Sequence, residues 1–134
     1  MKKPSNITDR ILLKRIYDLY YQDFCNLQKT KNTIYIPIDC VFVGESLGIE
    51  PQIFWGRLYY HLDKKYSFKQ ENDSWVKLIL LANDEGKNPI HFPLLSSILA
   101  ELEQSYYRFT LPIYISSFAL LISLAGVFIN SFLK

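Results

Sequence analysis

The chain has 134 residues, 49% hydrophobic and 16% aromatic, with 15 Lys+Arg against 13 Asp+Glu. A net charge of +2 lacks the basic excess of a dedicated nucleic-acid binder. Two cysteines, Cys25 and Cys40, are too few and too far apart for a cysteine-based metal site.

Met1, Lys2 and Lys3 are basic, but the apolar run Ile11, Leu12, Leu13 stops at Lys14 and Arg15, short of the core of a secretion signal. The N-terminal part is therefore expected to stay in the cytosol with both thiols reduced. Asn6 or Thr8 is expected to cap a first helix ending near Leu27. Leu13, Ile16, Tyr20, Phe24 and Leu27 recur there at helical spacing, with Lys14, Arg15, Asp18 and Gln22 off the stripe. The polar run 28–33 should break that helix. Residues 34–38 then predict a short strand, which Pro37 confines to an edge or an end.

Asp39 can accept hydrogen bonds from the free amides of a second helix, Cys40 to about Leu47. Gly48 is placed to end that helix and Pro51 to open a third, running to about Lys65. Phe54, Leu58, His61 and Leu62 share one side of the third helix, while Gln52, Arg57, Tyr60 and Lys64 lie mostly on another. Residues 67–73 read as a polar connection. Residues 75–82 predict a strand answered by 90–92 across a turn at 83–88. A fourth helix from near Pro93 offers Leu95, Ile98, Leu99, Leu102 and Tyr106 as a lid for the sheet.

Residues 109–133 pass without a formal charge, between Arg108 and Lys134. As a helix they cover roughly 37 Å, more than the ~30 Å hydrocarbon core of a bilayer. The reading is a C-terminal membrane anchor, with Tyr106, Tyr107 and Tyr114 at the interface and Arg108 on the cytoplasmic side. Ser116, Ala119, Ser123, Gly126 and Asn130 draw one stripe of small or polar residues along it. Such a seam lets helices approach closely in lipid and predicts a homo-oligomer. Pro112 removes a backbone donor, and a bend is expected there.

The order of helix, strand, helix, tight turn, helix and hairpin resembles the winged-helix fold of bacterial proteins, over about residues 7–92. Residues 45–58 resemble its helix-turn-helix core, with Leu47, Gly48 and Ile49 at the turn and Phe54 and Leu58 as apolar anchors of the recognition helix. The resemblance implies a mainly α chain with a small β-sheet (α+β). Residues 1–92 would form the winged-helix-like domain, 93–108 an amphipathic connecting helix and 109–133 a transmembrane helix. It also implies that Gln52, Ile53, Arg57 and Tyr60 face a DNA groove, with Lys64 beside them. Yet Glu50 opens that helix, Ile53 and Gly56 bring no hydrogen-bonding side chain, and Asp84 and Glu85 occupy the turn that would meet phosphate. DNA binding is expected to be weak.

His61 and His91 lack a carboxylate at ligand spacing, since a helix turns Asp63 away from His61, and both read as packed or surface residues. Cys25 beside Phe24 reads as a core thiol. With no Gly-rich phosphate loop, nucleophile elbow or paired carboxylates, the expectation is a non-enzyme without metal or cofactor. The expected function is a single-pass binding or adaptor module in the bacterial inner membrane. It would bind the bilayer, its own copies and a protein partner. A membrane-bound DNA-binding transcription regulator and a small phage- or defence-type membrane effector are the alternatives.

Overall fold

The structure, a computed structural model, describes residues 6–134; the basic start at Met1, Lys2 and Lys3 lies outside them. The elements run α1 (Asp9–Lys31), β1 (Tyr35–Ile38), α2 (Cys40–Ser46), α3 (Pro51–Gly56), a π-helical stretch (Arg57–Asp63) and α4 (Lys64–Tyr66). They continue with β2 (Phe68–Lys69), β3 (Trp75–Val76), β4 (Asn88–His91) and α5 (Phe92–Phe132). Helices dominate, with two small antiparallel sheets and one long apolar C-terminal helix, in the α+β class expected. Backbone proximity divides the chain into two compact units, one reaching Ala100 and one from Glu101 to Lys134.

Thr8 caps α1, its hydroxyl accepting the N–H of Ile11 at 3.3 Å. The helix does not stop at Leu27. It continues to Lys31, where Asn32 takes a left-handed conformation with φ 47°. The polar run does break it, but only at Asn32: Gln28, Lys29 and Lys31 are good helix formers, and the two lysines complement the negative end of the helix dipole. Leu12, Leu13 and Ile16 form its buried stripe.

Asp39 caps α2 as expected, accepting from Phe42 N at 3.0 Å. The helix closes on Gly48, with φ 69°. Gly48 N donates to Glu45 O at 2.9 Å and Ile49 N to Gly44 O at 2.9 Å, which satisfies two of the last carbonyls. Glu50 then caps α3, accepting from Gln52 N at 2.6 Å, and Pro51 takes the first helical position. A second glycine makes this turn compact. A Cβ on Gly44 would sit 3.3 Å from Phe54 Cβ and 3.3 Å from Pro51 Cα, so α2 and α3 approach closely only because that side chain is missing.

In the larger sheet β1 pairs antiparallel with β4, Ile36 facing Ile90 and Pro37 facing Pro89. The expected strand at 75–82 is corrected. Trp75–Val76 pairs instead with Phe68–Lys69, inside the stretch read as a polar connection. Residues 78–80 do reach β4, but through a single bridge, Ile79 to Ile90, held by His91 N to Leu78 O and Leu80 N to Pro89 O, both 2.8 Å. Pro89 explains the brevity: it has no N–H to return to Leu80. The side chain of buried Asn88 supplies that bond, donating Nδ2 to Leu80 O at 3.1 Å.

The core gathers Leu12, Leu13 and Ile16 of α1 with Ile36, Ile38, Val43, Ile49, Phe54, Leu58, Leu62, Leu78, Ile79 and Ile90. Phe92 at the start of α5 stacks on Tyr17 and Phe24, with centroids 5.4 and 4.7 Å away. Leu95, Ile98 and Leu99 are buried behind it, whereas Tyr106, expected in the same lid, is exposed. One helix carries both the expected connecting segment and the expected span, with Pro112 inside it. It is long and apolar enough to cross a membrane.

Candidate interaction surface

The helical run from Pro51 to Tyr66 decides which side chains reach solvent. Its middle is π-helical, closing i to i+5 rather than i to i+4, so faces drawn at 3.6 residues per turn drift. Phe54, Leu58 and Leu62 are buried as expected, but His61 is exposed and Asp63 is buried.

Arg57 is drawn toward α1. Its guanidinium lies 2.5 Å from Asp9 Oδ1 and donates to Ile7 O at 2.6 Å, and His61 Nε2 lies 3.1 Å from Asp9 Oδ2. Of the four residues grouped on one face in the sequence, only Tyr60 and Lys64 line a common groove. Gln52 is exposed in a separate cleft of about 270 Å³, beside Val41, Trp55 and Gly86.

The groove is about 420 Å³, lined by Tyr59, Tyr60, Asp63, Lys64, Ser67, Trp75 and Lys77. Trp55 stacks on Tyr59 at 4.9 Å, and Tyr60 meets both rings edge-on at 5.6 and 5.2 Å. Tyr60 is nevertheless 68% exposed and Trp75 60% exposed. Asp63 forms the floor, its carboxylate accepting from Ser67 Oγ at 2.7 Å, Leu78 N at 2.8 Å and Ile79 N at 3.2 Å. Lys77 Nζ stands 3.5 Å away. Those bonds tie the end of the third helical run to the strand segment and leave the carboxylate little capacity for a ligand. The groove therefore presents aromatic faces and ammonium groups.

Sequence reasoning missed Trp55, Tyr59, Trp75, Asp63 and Lys77. The available signal was the recurrence of Trp55, Tyr59 and Tyr60 at helical spacing, too aromatic for a solvated face. Trp75 was placed in a strand but opposite the wrong partner, because Phe68 and Lys69 lay in the supposed connection.

The seam residues Ser116, Ala119, Ser123, Gly126 and Asn130 are all exposed on α5, and a Cβ on Gly126 would meet nothing within 4 Å. Thr110, Ser117 and Ser131 turn their hydroxyls back to carbonyls one helical turn earlier, at 2.6, 2.8 and 3.0 Å. Bonded so, they suit apolar surroundings.

Burial pushes the Cys40 thiol up to about 12, with Asp39 adding to the shift, so it carries no thiolate at neutral pH. Burial likewise raises Tyr20, whose hydroxyl accepts the N–H of Asp39 at 3.0 Å. Among the described residues no three His, Cys, Asp or Glu side chains gather as metal ligands would. Comparisons with protein-family models, with curated proteins and with solved structures gave no match.

Proposed function

We propose that this chain is a membrane-tethered interaction module of winged-helix-like build. α5 anchors it in the bacterial inner membrane and self-associates through the small-residue seam. The preceding domain, in the cytoplasm, binds a protein partner or further copies of the chain. Support for the winged-helix-like build comes from the element order and from the glycine-built turn between α2 and α3. The 78–80 segment, reaching β4 on the side opposite β1, adds to it.

The observation that carries the interaction reading is the exposed pair Tyr60 and Trp75 beside Lys64. Trp and Tyr are the side chains that anchor protein interfaces. The cation best placed for a nucleic-acid face, Arg57, is held by Asp9, and the hairpin tip presents Asp84 and Glu85. Such a surface releases few counterions from DNA.

Salt titration of duplex binding by the detergent-solubilised chain tests this reading. The expected affinity is weak and vanishes by ~150 mM salt; a footprint that survives there returns the function to transcription regulation. Alkaline carbonate should leave the chain in the membrane fraction, and its release would sink the tether. For the seam, Gly126→Leu should weaken association of residues 106–134 in a bacterial two-hybrid assay, because the bulky side chain holds the backbones apart, while Phe118→Leu and Phe128→Leu should not.

A further inference from the structure

We propose that the aromatic groove receives the hairpin tip of a second copy of this chain, Leu81 entering between Tyr60 and Trp75 while Asp84 meets Lys64. This rests on the interaction-module reading and names the occupant of its groove.

The groove states what its occupant must carry. Its walls are exposed rings, its one carboxylate is 5% exposed and already bonded, and Lys64 has no ion-pair partner among the described residues. An apolar group next to an anion is the complement. The tip has both. Leu81 is 64% exposed, and Asp84 has no ion-pair partner among the described residues. Glu85, next to it, reaches only Lys87, at 3.9 Å.

The tip is also shaped in advance. Asn83 Oδ1 accepts from both Glu85 N and Lys87 N at 3.0 Å, Asn83 N donates to Lys87 O at 2.8 Å, and Gly86 supplies φ 74°. Little conformational freedom is left to lose on docking, which lowers the cost of association. Groove and tip are different patches. Their contact is therefore heterologous, or reciprocated about a two-fold axis, and a shared membrane would raise the effective concentration of each for the other.

The test uses the full chain in membranes of an expression host, in a Cys25→Ser background that keeps the buried, unreactive Cys40. Chains carrying Tyr60→Cys and chains carrying Leu81→Cys, differently tagged, are co-expressed and oxidised. The expected product is a disulfide between the two tags, scarce when either variant is expressed alone. Lys64→Glu in the first chain should reduce it about fivefold, and Asp84→Lys in the second should restore it. No mixed disulfide, or an equal yield from a Gln22→Cys chain in place of Tyr60→Cys, overturns the proposal. So does a blue shift of the Trp75 emission on anionic lipid vesicles without the disulfide, which would assign the groove to lipid. A chain that cross-links yet is released by alkaline carbonate loses the tether and keeps the contact. A carbonate-resistant chain that never cross-links loses only the contact.

Discussion

The guanidinium of Arg57 lies 2.5 Å from the carboxylate of Asp9, joining the π-helical stretch to the first turn of α1. Both side chains are about three-quarters buried, and the same guanidinium also serves Ile7 O. Arg57→Ala should therefore leave a folded but weaker domain, down by about 1–3 kcal/mol, where Gln52→Ala changes stability by less than ~0.5 kcal/mol. Denaturant unfolding followed by the fluorescence of Trp55 and Trp75 measures both. The Asp9→Ala, Arg57→Ala double variant should lose less than the sum of the singles, because one interaction is removed twice.

Two glycines of the same region should answer oppositely to alanine. At Gly44 the added methyl meets Phe54 and Pro51 at 3.3 Å, so the packing of α2 on α3 must give by a few tenths of an ångström, at about 1–3 kcal/mol. At Gly56 the nearest atom is Tyr60 Cδ2 at 3.8 Å, an ordinary contact, and alanine in a helix gains roughly 0.5–1 kcal/mol. Equal Tm shifts for the two variants would contradict the packing described.

Asp63→Ala should be the more damaging change. It strands the buried N–H of Ile79 at roughly 1–3 kcal/mol and leaves Leu78 N with only the Ser67 hydroxyl, at 3.3 Å. Asp63→Asn keeps one acceptor oxygen and should lose less. Hydrogen exchange at Leu78 and Ile79 reads the difference directly: fast exchange in the alanine variant, intermediate in the asparagine variant.

His91 sets a pH dependence. Burial pushes its pKa below the usual histidine range, and its Nδ1 accepts the N–H of Leu94 at 3.1 Å, capping the start of α5. The folded state thus takes up a proton less readily than the unfolded one. Its stability is complete above the ordinary histidine pKa of ~6.5 and declines as pH falls from there toward the lowered folded value. Tm measured from pH ~7.5 down to ~5.5 should fall in the wild type and fall less in His91→Asn, whose side-chain oxygen accepts the same bond without titrating.

Features governed by one residue's chemistry were legible in the sequence. The caps at Thr8 and Asp39, the turn at Gly48, the helix start at Pro51 and the edge position of Pro37 follow from what each backbone or side chain can and cannot donate. The candidate site was half legible. Tyr60 and Lys64 were found together, but the face of Arg57 was drawn for an α-helix and the chain is π-helical there. The two-residue strands β2 and β3 carry too little pattern for period-two reasoning, so Trp75 was assigned to the wrong pairing. Long-range partners such as Asp9 for Arg57 lie 48 residues away and leave no local trace.

The outer edge of β1 has a consequence for crowding. Phe92 N bonds Ile34 O and the register alternates from there, so the backbone groups of Tyr35 and Pro37 point away from β4. Part of that edge is answered locally: Thr33 Oγ1 donates to Tyr35 O at 3.2 Å, and Pro37 has no N–H. Just past the strand, Asp39 N is taken by the Tyr20 hydroxyl. An incoming strand finds only Tyr35 N–H and Pro37 C=O to pair with along β1. However densely copies of this protein accumulate, that border is a poor template for cross-β polymerisation, and assembly falls more to side chains.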